Sequence, residues 1–188
     1  MTDATPPLDS GQFRQVMGRF ATGVTVITTE AASGVRAMTA NAFMSGSLVP
    51  PLCVIAVARK ARLHRALEAS GQFGVSMLAQ GQEAISRHFA GQGAAEPELL
   101  FEHLAGVPVL ANVCASLAAR VEAQHDCGDH SLFVGCVLAL RDGGRAPLVY
   151  HAGHYAALQV RRSGAPGAAI DFWELDHEAA GDDGKLDD

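Results

Sequence analysis

Residues 38–52, with the sequence MTANAFMSGSLVPPL, constrain the fold more than any other stretch of the chain. Pro50 and Pro51 remove two backbone N–H donors and forbid a helix, and the apolar run LCVIAVA at 52–58 is typical of a fully buried strand. Small and polar residues precede the prolines, so backbone and hydroxyl groups can come within hydrogen-bonding distance of a flat polar ligand. The stretch predicts a hydrogen-bonding rim fixed to a rigid edge. The alternative is an ordinary strand, turn and strand in which Ser and Asn are turn residues.

Composition indicates one globular domain that binds neither nucleic acid nor a membrane surface. The 188 residues are 48% hydrophobic and 18% charged, which suits one domain with a sizeable core. The net charge is −6 and the pI about 5.7, whereas nucleic-acid and anionic membrane surfaces need clustered Lys and Arg. The first residues resemble no signal peptide and no apolar run approaches membrane-spanning length, so we expect a cytoplasmic protein.

Apolar periodicity predicts more strands than helices. The strongest strand signal is the β-branched run at 24–29, and further strands are predicted at 35–41, 52–58, 73–78, 113–123, 131–140, 148–151 and 155–160. The strands 113–123 and 131–140 form a hairpin with a polar tip. Short helices are predicted at 62–70 and 82–90, and residues 92–110 are predicted to form a surface loop.

A further helix is predicted near the start of the chain, capped by Asp9 or Ser10 and ended by Gly23. Its apolar residues follow helical spacing and should lay one stripe on the core; they are Phe13, Val16, Met17 and Phe20. Because strand and helix do not alternate regularly, the pattern favours a mainly β fold, an antiparallel β-barrel with peripheral short helices. We expect one domain over residues 1–162 and an acidic, flexible tail over residues 163–188.

The cysteine pattern does not indicate a metal site. Cys53, Cys114, Cys127 and Cys136 show no CxxC spacing, and we expect buried free thiols. His125 and His130 flank Cys127 in HDCGDH, but this spacing is not that of a structural zinc site, so no metal is predicted.

Motifs for covalent catalysis and for dinucleotide or P-loop binding are not found, so the polar rim and a basic segment remain as functional signals. Arg59, Lys60 and Arg62 follow a predicted strand and flank the start of a predicted helix. Such a trio can hold a phosphate by charge and by free N–H groups of the first helical turn. A phosphate at one end and a flat ring along the rim describe a mononucleotide. The alternative for the trio is a solvated charge run.

Seven ordered motifs resemble the flavin reductase-like family, the small components of two-component flavin monooxygenases. They are GRFATGVTVITT (18–29), MTANAFMSGSLVPPL (38–52), RKARLH (59–64), SGQFGVSML (70–78), SRHFAG (86–91), GDHSLFVGCV (128–137) and PLVYHAGHY (147–155). The resemblance covers about residues 13–160. It implies an FMN-binding split barrel of antiparallel Greek-key topology, a homodimer, and oxidation of NADH or NADPH coupled to reduction of FMN or FAD. Reduced flavin would then diffuse to a partner monooxygenase.

The same resemblance implies roles for individual residues. The flavin would be bound by Met38, Thr39, Ala40, Asn41, Ala42, Ser45, Ser47, Lys60, Ala61, Arg62, Phe89 and Gly91. Within this set, Ser45 and Ser47 would line the ribityl side, and Lys60 and Arg62 would meet the phosphate. His130 and Tyr155 would lie over the ring face where nicotinamide stacks; the alternatives are a solvent-exposed hairpin histidine and a tyrosine that covers core. Hydride transfer needs no acid or base, so no catalytic residue is predicted.

Two departures from the family pattern bear on flavin binding. Similar proteins usually carry hydroxyl residues where this chain has Ala61 and Leu63, so the phosphate must depend on backbone N–H groups and basic side chains. Met44 stands where Thr is common. The rival hypotheses are a flavin- or haem-binding sensor or storage protein without NAD(P)H turnover, and a pyridoxamine-phosphate-type oxidase.

Overall fold

The computed structural model describes residues 8–93 and 97–159; the predicted domain limit at 162 and the tail lie outside these residues. The helices are α1 (Ser10–Met17), α2 (Arg62–Ser70) and α3 (Glu83–Phe89). The strands are β1 (Thr22–Gly23), β2 (Thr25–Thr29), β3 (Arg36–Ala40), β4 (Phe43–Leu48), β5 (Pro51–Ala58), β6 (Gln72–Met77), β7 (Phe101–Leu104), β8 (Val107–Leu110), β9 (Ala115–Cys127), β10 (His130–Asp142), β11 (Leu148–His151) and β12 (His154–Ala157). Within the described ranges, none of α1 to α3 combines the length and apolar character that a membrane crossing requires.

Seven strands form one antiparallel sheet in the order β3-β2-β6-β9-β10-β5-β4. Its two edge strands, β3 and β4, are consecutive in the chain and are joined by Asn41 and Ala42 alone. A two-residue link spans at most about 11 Å, so the edges lie side by side and the sheet curls into a barrel. β3 and β4 are not hydrogen-bonded neighbours, so the barrel is split between them, at what we call the β3–β4 seam. The predicted antiparallel split barrel is confirmed.

The barrel interior holds the main hydrophobic core. Cys53, Ile55 and Val57 point inward from β5 and pack with Phe73 of β6 and Phe133 of β10. The residues between them on β5 are only half-buried, so the prediction of a strand buried on both faces is wrong for the single chain. Apolar side chains also face outward from β5, and composition alone does not separate this case from full burial.

Helix α1 does not cover the core as predicted. Asp9 caps it, as expected, by accepting a hydrogen bond from the Gln12 backbone N–H at 2.7 Å, but it ends at Met17 with Gly18 as its C-cap, before Gly23. None of its residues is buried, and its apolar side chains are more than half exposed. Periodicity shows that one face is apolar but does not show what covers it, and the barrel strands already fill the interior.

The segment 92–110 is not simply a loop, because it contains the hairpin β7–β8. Val107 and Val109 of β8 are at most 1% exposed, and a turn with positive φ at Ala105 and Gly106 joins the strands. Each strand has only four residues, too few for a clear alternating pattern, so periodicity does not reveal them.

The cysteines are free, but they are not uniformly buried. Cys53 is buried, and desolvation, with a smaller effect of nearby Cys136, raises its pKa to about 11. Cys127 is exposed beside the β9–β10 turn, so the prediction of a buried thiol is wrong there. Its flanking polar residues mark the hairpin tip, where a side chain has no core to enter.

Candidate functional site

Within the described residues Asn41, in the link across the β3–β4 seam, lines three grooves, and two of these also contain other predicted flavin-binding residues. The first, which we call the polar groove, has a volume of about 200 Å³. Its lining residues come from the link between β1 and β2, from β3 and the residue after it, from α3 and the segment after it, and from the β11–β12 hairpin. They are Val24, Thr39, Ala40, Asn41, Ser86, Ala90, Gln92, Tyr150 and Tyr155. The predicted rim residues Thr39, Ala40 and Asn41 therefore do line a groove, and Tyr155 lies in the same groove.

The second groove, which we call the apolar groove, has a volume of about 450 Å³. It lies between α1 and the outer face of the barrel and is lined by Phe13, Met17, Phe20, Thr22, Asn41, Ala42, Phe43, Met44, Val54, Ala56 and Leu132. Ala42 is anchored here, because its carbonyl accepts a hydrogen bond from the Ala56 backbone N–H at 3.2 Å. Asn41 and Ala42 thus open onto a mainly apolar space on this side of the seam.

Ser86 of α3 forms hydrogen bonds with two other lining residues of the polar groove. It is 1% exposed, and its carbonyl accepts a hydrogen bond from Thr39 Oγ1 at 2.7 Å. Its hydroxyl accepts a hydrogen bond from the Tyr155 hydroxyl at 2.9 Å. One buried residue therefore joins α3 both to β3 and to β12.

The Tyr155 ring, which was predicted to lie where nicotinamide stacks, already has contacts within the chain. The guanidinium carbon of Arg87 lies 5.1 Å from the centroid of its ring, and Tyr150 meets it edge to face at 5.3 Å between centroids. Tyr155 also packs against a core cluster, so it covers core as well as lining the groove. A nicotinamide ring could use only the face turned away from Arg87.

Two of the three basic residues remain available for a phosphate. Lys60 and Arg62 are exposed on either side of Ala61, the N-cap of α2, which makes no side-chain capping hydrogen bond. The first N–H groups of α2 are therefore not satisfied by a cap side chain and point where an anion binds favourably. Arg59 is committed to the β9–β10 hairpin through an ion pair with Asp126 at 2.9 Å.

His130 lies near this cationic end. It begins β10, pairs with Ala58 of β5, and its Nδ1 is 2.7 Å from Oδ1 of Asp129. The hydrogen bond and charge of His130, with a smaller effect of Lys60, hold the pKa of Asp129 below its usual value. The structure thus brings His130 close to Lys60, but His130 does not line the polar groove with Tyr155.

The other predicted residues are placed differently. Met38 and Ala61 pack on the main core and Phe89 on a second cluster, so only their backbones could face a ligand directly. Gly91, with φ of 73°, ends α3 beside the polar groove. Ser47 is paired with Leu52 on β5, roughly 20 Å along the strand from Ala58, where the segment with Lys60 begins. Within one chain, Ser45 and Ser47 therefore do not lie near Lys60, as the predicted binding of the ribityl chain and the phosphate of one flavin would require.

Sequence reasoning missed five lining residues of the polar groove, Val24, Ser86, Ala90, Gln92 and Tyr150. Ser86 and Tyr150 belong to the motifs SRHFAG and PLVYHAGHY, so the sequence held a signal for them. Their contact with Thr39 depends on strands and helices distant in the chain, which periodicity does not reveal.

The geometry defines a class of protein, a split barrel with a groove suited to a flat ligand at the edge of its sheet. Among the strands that the structure describes, β3 pairs only with β2, so the backbone groups on its other side lie outside the sheet ladder and can bind a polar ring edge. Thr22 and Asn41 both line the apolar groove, and the buried Thr22 Oγ1 has no hydrogen-bond partner among the described residues. Together with the uncapped start of α2, these groups fit a phosphorylated, partly apolar ring such as a flavin.

Comparisons with known proteins agree with this class. The sequence matches the flavin reductase like domain over residues 17–159, and the chain belongs to the flavin reductase-like family. It is 38% identical over 167 residues to an NADH-dependent flavin reductase from a Rhodococcus species, covering 85% of this chain and 95% of the relative. It is 41% identical to the reductase component of 4-hydroxyphenylacetate 3-monooxygenase from Thermus thermophilus, covering 78% of this chain and 95% of the relative. Flavin reductase PheA2 in its native state superposes with a TM-score of 0.79 at 40% identity, covering 81% of this chain and 100% of that one.

Proposed function

We propose that this chain is an NAD(P)H-dependent flavin reductase that reduces FMN or FAD and supplies reduced flavin to a partner monooxygenase. The family supports this, because similar proteins are an NADH-dependent flavin reductase and the reductase component of a monooxygenase. The observation that carries the proposal is the meeting of a polar and an apolar groove at Asn41. An isoalloxazine ring has one polar and one apolar edge, so it suits such a junction.

The residues of the chain bind and orient rather than exchange protons. When bound, flavin and dihydronicotinamide supply the chemistry, a hydride transfer from nicotinamide C4 to flavin N5. Thr39 to Ala42 hold one ring edge through the open side of β3, and Lys60, Arg62 and the first turn of α2 hold the phosphate. His130, at the start of β10, would contact the hydride donor. No side chain is assigned as an acid or a base.

Purified protein mixed with FMN and NADH in air should oxidise NADH continuously, because oxygen returns reduced flavin to its oxidised form. The loss of the nicotinamide absorbance band measures this, and repeating it with FAD and with NADPH gives the preferences. A flavin- or haem-binding protein without turnover would leave the band unchanged and contradict the proposal. A pyridoxamine-phosphate-type oxidase would keep its flavin through gel filtration.

The variant His130→Ala separates donor binding from flavin binding in the same assay. We expect the KM for NADH to rise about fivefold, as for the loss of one hydrogen-bonding contact, with FMN affinity retained. His125→Ala is the matched control, since His125 is exposed on the same hairpin but pairs with Leu132 and not with His130. Unchanged KM and kcat for NADH in His130→Ala would remove His130 from the site.

We propose further that the chain forms a homodimer; its location in the cytoplasm stays a prediction. Large apolar side chains are exposed on the single chain, among them Phe20 at 73%, Val49 at 92% and Leu140 at 72%. Exposed apolar surface of this kind marks protein–protein contacts.

Sedimentation should therefore give about twice the 19.6 kDa mass of one chain. The double variant Leu48→Lys with Val49→Lys should shift the equilibrium toward the monomer, because two charges would be buried in the contact. Leu100→Lys, at a residue that is 58% exposed elsewhere, is the control. A monomeric wild-type protein at micromolar concentration would contradict the proposal.

A further inference from the structure

Arg87 stands at the edge of the polar groove and is exposed on α3. Its guanidinium lies over the ring of Tyr155, one of the lining residues. A guanidinium over an aromatic face is attracted to the ring and keeps its N–H donors free at the rim of the guanidinium plane. Arg87 therefore presents hydrogen-bond donors next to the groove.

The Tyr155 ring on which Arg87 rests is itself held by hydrogen bonds. The Tyr155 hydroxyl donates to the buried Ser86 hydroxyl, and Ser86 is also tied to Thr39 through its carbonyl. Since Ser86 precedes Arg87 on α3, the same contacts fix both the helix that carries Arg87 and the ring on which it rests. Arg87 is therefore positioned both by the helix that carries it and by the Tyr155 ring beneath its guanidinium.

Among the described residues, Arg87 forms no ion pair with a carboxylate, unlike three other arginines. Arg59, Arg120 and Arg141 each form an ion pair with a carboxylate. Within the described residues, Arg87 has no carboxylate oxygen within 4.0 Å, and the lining of the polar groove includes no Asp or Glu. An anion entering this groove meets the positive charge of Arg87 at its edge.

We propose that Arg87 binds the phosphate groups of the nicotinamide dinucleotide, and that Ser86 and Tyr155 are positioning residues that hold it there. This inference rests on the proposed function and adds the residue that recognises the anionic part of the hydride donor. The flavin phosphate belongs to Lys60 and Arg62 at the start of α2, so the two phosphate-bearing ligands use different cations.

A hydride donor without phosphate isolates the role of Arg87. In Arg87→Ala we expect the KM for NADH to rise roughly tenfold, while the KM for N-benzyl-1,4-dihydronicotinamide stays unchanged. Added salt should raise the wild-type KM for NADH and affect the variant less. Arg87→Lys keeps the charge and should recover part of the loss. Arg120→Ala, which removes an arginine paired with Glu122, should match the wild type.

The positioning residues are tested by Tyr155→Phe and Ser86→Ala. Each should raise the KM for NADH about threefold with little change in kcat, and neither should add to the effect of Arg87→Ala. Equal losses with both donors, or an unchanged KM for NADH in Arg87→Ala, would overturn the inference. Should wild-type protein not oxidise NADH, the proposed function fails, and calorimetric titration with NAD⁺ still tests Arg87: equal affinity of wild type and Arg87→Ala overturns its role.

Discussion

Replacing Gly74 by alanine should lower the free energy of unfolding by about 3 kcal/mol, because the new methyl group has no space. A Cβ at position 74 would lie 2.6 Å from Thr28 Oγ1 and 2.8 Å from Val109 Cγ1, and closer still to the carbonyl oxygen of Pro108. Thr28 donates a hydrogen bond to that same carbonyl, so the β7–β8 hairpin is locked against β2 and β6 at this point. Urea unfolding at fixed protein concentration should show a lower midpoint with an unchanged slope.

Gly23→Ala is the matched control for this change. Gly23 also lies in a strand, but a Cβ there would meet nothing within 4 Å and its φ is not positive, so we expect a change below about 0.5 kcal/mol. Equal midpoints for the two variants would mean that β8 does not rest on Gly74, and the hairpin would then have to lie elsewhere on the barrel.

Elements whose burial pattern is local were predictable from the sequence. Helix α2 was predicted at 62–70 and is found at Arg62–Ser70, since its apolar spacing and Gly71, with φ of 66°, mark both its face and its end. The β-branched run that forms β2 and the long hairpin β9–β10 were recognised for the same reason. In each case the pattern that the barrel requires is carried by adjacent residues.

Elements whose environment is set by distant parts of the chain were not predictable. The apolar stripe of α1 has the same spacing as a core-facing stripe, yet its side chains are exposed, because what lies opposite a helix is not encoded in its periodicity. β8 is buried by contact with β2, β6 and β9, whereas β7 contacts β8 and has no buried residue, and four-residue strands leave little pattern of their own.

The candidate site shows the same division. Thr39, Ala40 and Asn41 are adjacent in sequence, and the prediction that they border a ligand groove agrees with their place in the polar groove. Thr39 and Ser86 are 47 residues apart in the sequence, and Ser86 and Tyr155 are 69 residues apart. The fold brings each pair within hydrogen-bonding distance. The resemblance to the family identified the motifs that contain these residues. Their contacts with one another, and the position of Arg87 over the Tyr155 ring, are seen only in the structure.

The phosphate end of the site offers the sharpest test of how one flavin lies on the chain. Ala42 contacts Ala56, and β5 runs from there past Ala58 to Lys60, so a ring at Asn41 and Ala42 can extend its phosphate toward α2. The opposite direction along β5 leads to Leu52, the partner of Ser47, where no basic side chain follows. A flavin that points toward α2 would have its phosphate near Lys60, whereas one that points the other way would have it near Ser47.

The double variant Lys60→Ala with Arg62→Ala should weaken FMN binding roughly thirtyfold, about 2 kcal/mol, because two charge-assisted contacts to the phosphate are lost. Fluorescence titration measures it, and riboflavin, which lacks the phosphate, should bind both proteins equally. Arg36→Ala with Arg120→Ala removes two charges elsewhere and gives the same net charge, −6 − 2 = −8, so it controls for the overall field. Equal FMN affinity of the two double variants would place the phosphate away from α2 and direct attention to Ser45 and Ser47.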